Sequence, residues 1–166
     1  DDGATLQASE IIHDEDAETA AFTFERPLPR GKATLRLEFT GTLNDQLRGF
    51  YRSRYLAADG STQHLATTQF EATDARRAFP CWDEPAVKAV FDVTLVVPQE
   101  LTAISNMPVI SESPAGDGKK IVEFADTPKM STYLLVFVVG DMASVEAEVP
   151  GGTLMRVWTT RGKEEQ

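Results

Sequence analysis

The stretch TTQFEATDARRAFPCWDEP, residues 67–85, gathers more kinds of side-chain chemistry than any other part of the chain. It opens as a strand, Thr67 to Phe70, and reaches a carboxylate at Glu71. Ala72 to Phe79 is helix-prone, with Thr73 as the expected N-cap. Pro80 has no N–H to donate and ends that run. Cys81, Trp82 and an Asp83-Glu84-Pro85 turn follow. A strand that stops at a carboxylate and turns sharply points a polar group into a cleft. Alternate strand residues share a face, so Gln69 stands on the same side as Glu71. Residue chemistry alone leaves two readings open. The pair meets a ligand bearing a cation and a hydrogen-bonding group, or Glu71 makes a structural salt bridge to a nearby arginine.

Outward from this stretch the pattern is that of strands. Leu47 to Leu56 and Thr62 to Phe70 flank the Ala58-Asp59-Gly60-Ser61 turn, with Arg48, Arg52 and Arg54 at one parity. Those arginines read most simply as a solvated or salt-bridged strand face. Lys32 to Leu43 alternates, with Leu35, Leu37 and Phe39 on one side, and predicts a half-buried antiparallel strand. Thr5 to Ile12 and Thr19 to Glu25 predict two strands around an acidic turn. Val87 to Val97 has period two, placing Val87, Ala89, Phe91, Val93, Leu95 and Val97 inward, and Pro98 ends it. Short strands follow at 102–106, 109–113 and 119–125. Tyr133 to Val139 is continuously apolar and predicts a strand covered on both faces. Val145 to Val149 and Thr153 to Thr159 close the series around Pro150-Gly151-Gly152.

About ten strands with turn residues between them make the expected fold all-β, an antiparallel multi-sheet sandwich with one short helical turn after Glu71. Residues 1–166 read as a single domain. The sequence starts in mid-pattern and stops in a charged run, so it is expected to be a piece of a longer protein.

Charge narrows the partners. The net charge is −10, yet residues 1–25 hold eight acids and no Lys or Arg, which leaves −2 for the other 141 residues. The acidity is therefore local and serves solubility. No basic stripe exists for a nucleic acid to follow, and no apolar run is long enough to span a membrane. One cysteine cannot form an internal disulfide, and there is no Asn-x-Ser/Thr acceptor. The setting these features favour is cytoplasmic.

Few constellations could carry chemistry. His13 and His64 are far apart and H-E-x-x-H is absent, so no metal site is expected in this chain. Cys81 between Pro80 and Trp82 reads as a buried small hydrophobe rather than a nucleophile. Asp83 and Glu84 read as structural, capping a turn or bonding Arg76 or Arg77. No residue is expected to be catalytic.

TQFEATDARRAFPCWDEP, with GFYRSRY (49–55) before it and SNMPV (105–109) and TPKMSTYLLVFVVG (127–140) after it, resembles the zinc aminopeptidases related to aminopeptidase N. The similarity is greatest to the cytosolic puromycin-sensitive branch and covers the chain from about Arg30 onward. The resemblance implies an N-terminal β-saddle domain, without its first strands, of a multidomain exopeptidase. Zinc and the general base would lie on the next domain, in cis. It also implies that Gln69 lines the pocket for the first side chain and Glu71 binds the free α-ammonium of a peptide substrate. The leukotriene hydrolase branch carries glutamine where this chain has Glu71, which favours the aminopeptidase branch. The alternative is a catalytically inactive relative that serves as a scaffold, as in a general transcription factor subunit similar to this family.

Overall fold

Thirteen strands and two single-turn 3₁₀ helices make up residues 5–165, the residues described in a computed structural model of the chain. Residues 1–4 and Gln166 lie outside them. Two compact units are resolved, Asp1–Glu38 and Phe39–Gln166. The fold is all-β, with every ladder between named strands antiparallel.

The first unit carries a hairpin of β1 (Glu10–Asp14) and β2 (Thr19–Thr23), in register from Glu10 opposite Thr23 to Asp14 opposite Thr19. Asp14 closes the acidic turn by accepting a bond from the Ala17 N–H through Oδ1 at 2.9 Å. Short polar side chains suit turns because they replace a backbone partner in this way.

The second unit holds a four-stranded sheet in the order β3 (Gly49–Leu56), β4 (Thr62–Gln69), β11 (Phe137–Gly140), β7 (Thr102–Ser105). Strands β6 (Thr94–Pro98), β9 (Lys119–Phe124) and β8 (Val109–Gly116) form a second sheet in that order. Two two-stranded ladders complete it. One joins β5 (Lys88–Ala89) to β10 (Met130–Ser131), the other β12 (Met142–Val149) to β13 (Thr153–Thr160).

The two larger sheets meet through Val97 and Val122 from one and Ala103 from the other, with Phe124 buried beside them and Val139 packed against the group. Val122 is wholly buried; a side chain of that size contributes about 1.5–3 kcal/mol on leaving water. A second core lies under the end of β4. It is built on Phe70, Ala75 and Leu135, with Phe79, Cys81, Tyr133 and Phe137 against them. Phe70 meets Phe79 and Phe137 edge-on, at centroid distances of 5.8 and 6.0 Å. Edge-to-face pairs of this kind add about 0.5–1.5 kcal/mol beyond area burial.

Three expectations are corrected. Lys32 to Leu43 forms no strand, and Leu35 and Phe39 stay exposed. Alternation specifies a face, but a strand also needs an edge to bond to, and none of the described strands pairs with this segment. Tyr133 to Val139 is not one strand either. Thr132–Leu134 winds into a 3₁₀ turn, and the ladder begins at Phe137. Likewise 87–97 is interrupted. Phe91, Val93, Leu95 and Val97 point inward as expected, whereas Val87 and Ala89 are exposed. The chain is diverted where Phe91 exchanges bonds with Thr127, its N–H donating to Thr127 Oγ1 and its carbonyl accepting from the Thr127 N–H.

Candidate functional site

The end of β4 carries both site residues predicted from the sequence. Gln69 is the last strand residue, paired with Gly49. Gln69 and Glu71 are exposed, and Phe70 between them is 2% exposed. That alternation turns both polar side chains to one side while Phe70 anchors the backbone in the core. Thr68, one residue earlier, accepts a hydrogen bond from the Phe137 N–H through Oγ1 at 3.2 Å and ties this strand end to β11.

The pair borders a shallow depression of about 230 Å³. Residues 68–71 line it together with residues 133–136, which run into β11, the strand beside β4. The depression thus sets a carboxylate and an amide beside apolar groups, Leu134 and Val136 among them.

The chain after Glu71 turns through residues 71–74 into a 3₁₀ helix, Ala75–Arg77. This is shorter than the 72–79 run predicted, and Asp74 rather than Thr73 occupies the N-cap position, without a side-chain cap bond. The turn is held from elsewhere. Asp83, 6% exposed, accepts from both the backbone N–H and the Nε of Arg76 at 3.1 Å. Arg77 Nε donates to Asp74 Oδ1 at 2.7 Å. The loop returns to the core through Thr132 Oγ1, which donates to the Trp82 carbonyl at 3.0 Å, and Ser131 Oγ, which donates to the Pro85 carbonyl at 2.6 Å.

These pairings bear on the salt-bridge reading of Glu71. The two arginines nearest in sequence bond Asp83 and Asp74. Glu71 itself makes no ion pair or side-chain hydrogen bond among the described residues, and neither does the Gln69 side chain. Asp83 takes the structural place expected for it, whereas Glu84 stays exposed and supplies only its carbonyl, to the Val87 N–H at 3.0 Å.

Cys81 is half-buried against the Phe70 core. Burial, and secondarily the Asp83 charge, push its thiol from 9.0 up to about 11, so it is protonated and unreactive near neutrality. His13 lies on β1 and His64 on β4. Among the described residues no three His, Cys, Asp or Glu side chains converge where a metal could sit. The donor groups among the described residues do not fit zinc.

Sequence reasoning missed Asn106. It donates from Nδ2 to the Leu134 carbonyl and accepts from the Val136 N–H, each at 2.8 Å. Ser105 Oγ donates to the Val136 carbonyl at 2.8 Å. Side chains thus supply the hydrogen bonds that a ladder would give the wall beside Glu71. The signal available was Asn106 standing before Met107-Pro108, where Pro forbids the strand from continuing as a ladder.

The chain matches the model of the peptidase M1 N-terminal domain over residues 3–134. It is 51% identical over 161 residues to aminopeptidase M1-B of Oryza sativa subsp. japonica, covering 97% of this chain and 18% of that protein. It is 48% identical over 165 residues to the puromycin-sensitive aminopeptidase of Caenorhabditis elegans, covering 99% of this chain and 17% of that protein. Against aminopeptidase N of Acetobacter pasteurianus it is 45% identical over 156 residues, 94% of this chain and 44% of that one. The chain thus spans between about a sixth and less than half of the length of these relatives. With a match over most of its residues, the chain belongs to the peptidase M1 N-terminal domain family.

Proposed function

We propose that this chain is the N-terminal β-saddle domain of a cytoplasmic, zinc-dependent aminopeptidase that removes N-terminal residues from peptides. In this reading the zinc and the catalytic base belong to another domain of the same polypeptide. This chain is not catalytic by itself and supplies the contacts that recognise the substrate's free amino terminus. The observation that carries the proposal is Glu71. It is an exposed carboxylate at a fixed strand end, uncommitted among the described residues, with Gln69 beside it and a depression in front.

The chemistry follows from the charge. An exopeptidase must tell a free α-ammonium from an amide nitrogen inside a chain. Glu71 accepts a charge-assisted hydrogen bond from the ammonium, a contact of roughly 1.5–3 kcal/mol. An internal peptide bond offers no such cation and would leave the carboxylate desolvated and unpaired. Gln69 donates or accepts through its amide at the edge where the first side chain enters. Any metal would be held by residues of another domain and would supply Lewis-acid chemistry there. The residues of this chain only hold and orient the substrate. A cytoplasmic setting agrees with a single cysteine and no glycosylation acceptor.

Amino-acyl chromogenic substrates test the assignment. The full-length protein should hydrolyse them, lose that activity to a chelator and regain it with zinc. The 166-residue chain alone, with zinc added, should show none. Turnover by the isolated chain above that of a Glu71→Ala control contradicts the division of labour. A full-length protein without turnover supports the scaffold reading.

A further inference from the structure

We propose that Leu134 is a specificity-determining residue of this site, receiving an aliphatic first side chain of the peptide; the inference rests on the aminopeptidase reading above. Leu134 is 47% exposed, although its neighbour Leu135 is 6% exposed and belongs to the core. The exposure is not spread over a loose surface. Leu134 lines the same depression as Gln69 and Glu71, on the segment that runs into β11, the strand beside β4. A carboxylate able to bind an ammonium therefore borders the same concave space as an unburied aliphatic group. An α-amino acid carries its cation and its side chain on one carbon, so a ligand that reaches Glu71 with the first has the second within the same depression.

The wall is held rather than draped. Asn106 engages the Leu134 carbonyl and the Val136 N–H, and Ser105 engages the Val136 carbonyl. The Leu135 N–H donates back to the Thr132 carbonyl at 3.0 Å, closing the 3₁₀ turn. With its backbone groups satisfied and Leu135 anchored, the Leu134 side chain is not needed for the core. It projects from a backbone held in place by those bonds. Pockets that discriminate by apolar contact separate side chains differing by one methylene by about 10- to 200-fold at best. An open wall with one leucine belongs at the low end of that range.

The test uses the full-length protein and leucyl and alanyl substrates with the same leaving group. Leu134→Ala should lower the leucyl-to-alanyl ratio of kcat/KM by about 3- to 10-fold, mainly through the leucyl KM. Leu134→Asn, which keeps the branched shape and changes the polarity, should lower the ratio at least as much. An equal fall for both substrates, or none, overturns the proposal and assigns Leu134 to packing against a neighbouring part of the polypeptide. The same proteins are scored for preference of an amino-acid amide inhibitor over its desamino analogue. That preference should survive Leu134→Ala and collapse in Glu71→Gln. If it survives Glu71→Gln, the amine-binding reading fails; if it collapses there while the leucyl ratio withstands Leu134→Ala, only the present proposal fails. A full-length protein without aminopeptidase activity overturns both.

Discussion

One carboxylate oxygen of Asp83 accepts two hydrogen bonds from Arg76, one from the backbone N–H and one from Nε, each at 3.1 Å. The contact spans seven residues and fixes the loop that leaves Glu71, joining the 3₁₀ turn to the segment before Pro85. Removing the buried carboxylate takes away the acceptor of the Arg76 backbone N–H and of its Nε. Asp83→Ala should therefore destabilise the protein by about 2–3 kcal/mol, below the full cost of breaking a buried pair because Arg76 is partly solvated. Asp83→Asn keeps an oxygen for the N–H and should cost less. Urea denaturation midpoints check the order.

Gly49 supports the same region from the opposite side. It is paired with Gln69, its φ is +68°, and a Cβ on it would stand 2.9 Å from Arg77 Cβ. Side chains other than glycine rarely adopt that φ, and the turn packs too closely to yield. Gly49→Ala should cost about 1–3 kcal/mol. It should also weaken substrate binding in the full-length protein, since the clash falls on the 3₁₀ turn that follows Glu71. Thermal melting and KM together report the two effects.

Cys81 predicts a response to alkali. Its folded thiol titrates at about 11 against 9.0 when unperturbed, chiefly because burial disfavours the thiolate. A group whose folded pKa is raised holds its proton more tightly in the native state. Its contribution is complete below 9.0 and is lost as pH rises through about 11. Stability should fall across that window, and Cys81→Ala should flatten the fall. Alkylation near pH 8 should run slower than for an exposed thiol, which mass spectrometry measures.

Asn106 gives a prediction about the wall beside Glu71. Asn106→Ala removes one donor and one acceptor from the backbone at Leu134 and Val136. With each bond worth about 1 kcal/mol net, the loss should be about 1–2 kcal/mol. Hydrogen exchange of the Val136 amide should quicken more than that of Val122, which is buried in the other core. Equal protection at Val136 in both proteins contradicts the role.

How far the sequence revealed these features depends on what kind of information each required. The Gln69-Phe70-Glu71 alternation was legible because a strand's period is local and Phe70 could only be inside. So was the inert Cys81, framed by Pro80 and Trp82. Lys32 to Leu43 misled because alternation records a face but not whether a partner strand exists. Tyr133 to Val139 misled for another reason. An apolar run is equally compatible with a ladder and with a wound segment whose hydrogen bonds come from distant side chains, here Ser105 and Asn106. The freedom of Glu71 from the nearby arginines was invisible to spacing, since Arg76 reaches Asp83 only after the chain turns.

The most direct measurement of the central claim is a double-mutant cycle on the ammonium contact. Wild-type and Glu71→Gln full-length proteins would each be titrated with an amino-acid amide and with its desamino analogue. A contact of roughly 1.5–3 kcal/mol predicts that the wild type prefers the amine by about 10- to 100-fold and that the preference nearly vanishes in Glu71→Gln. An equal preference for the amine in both proteins would contradict the account.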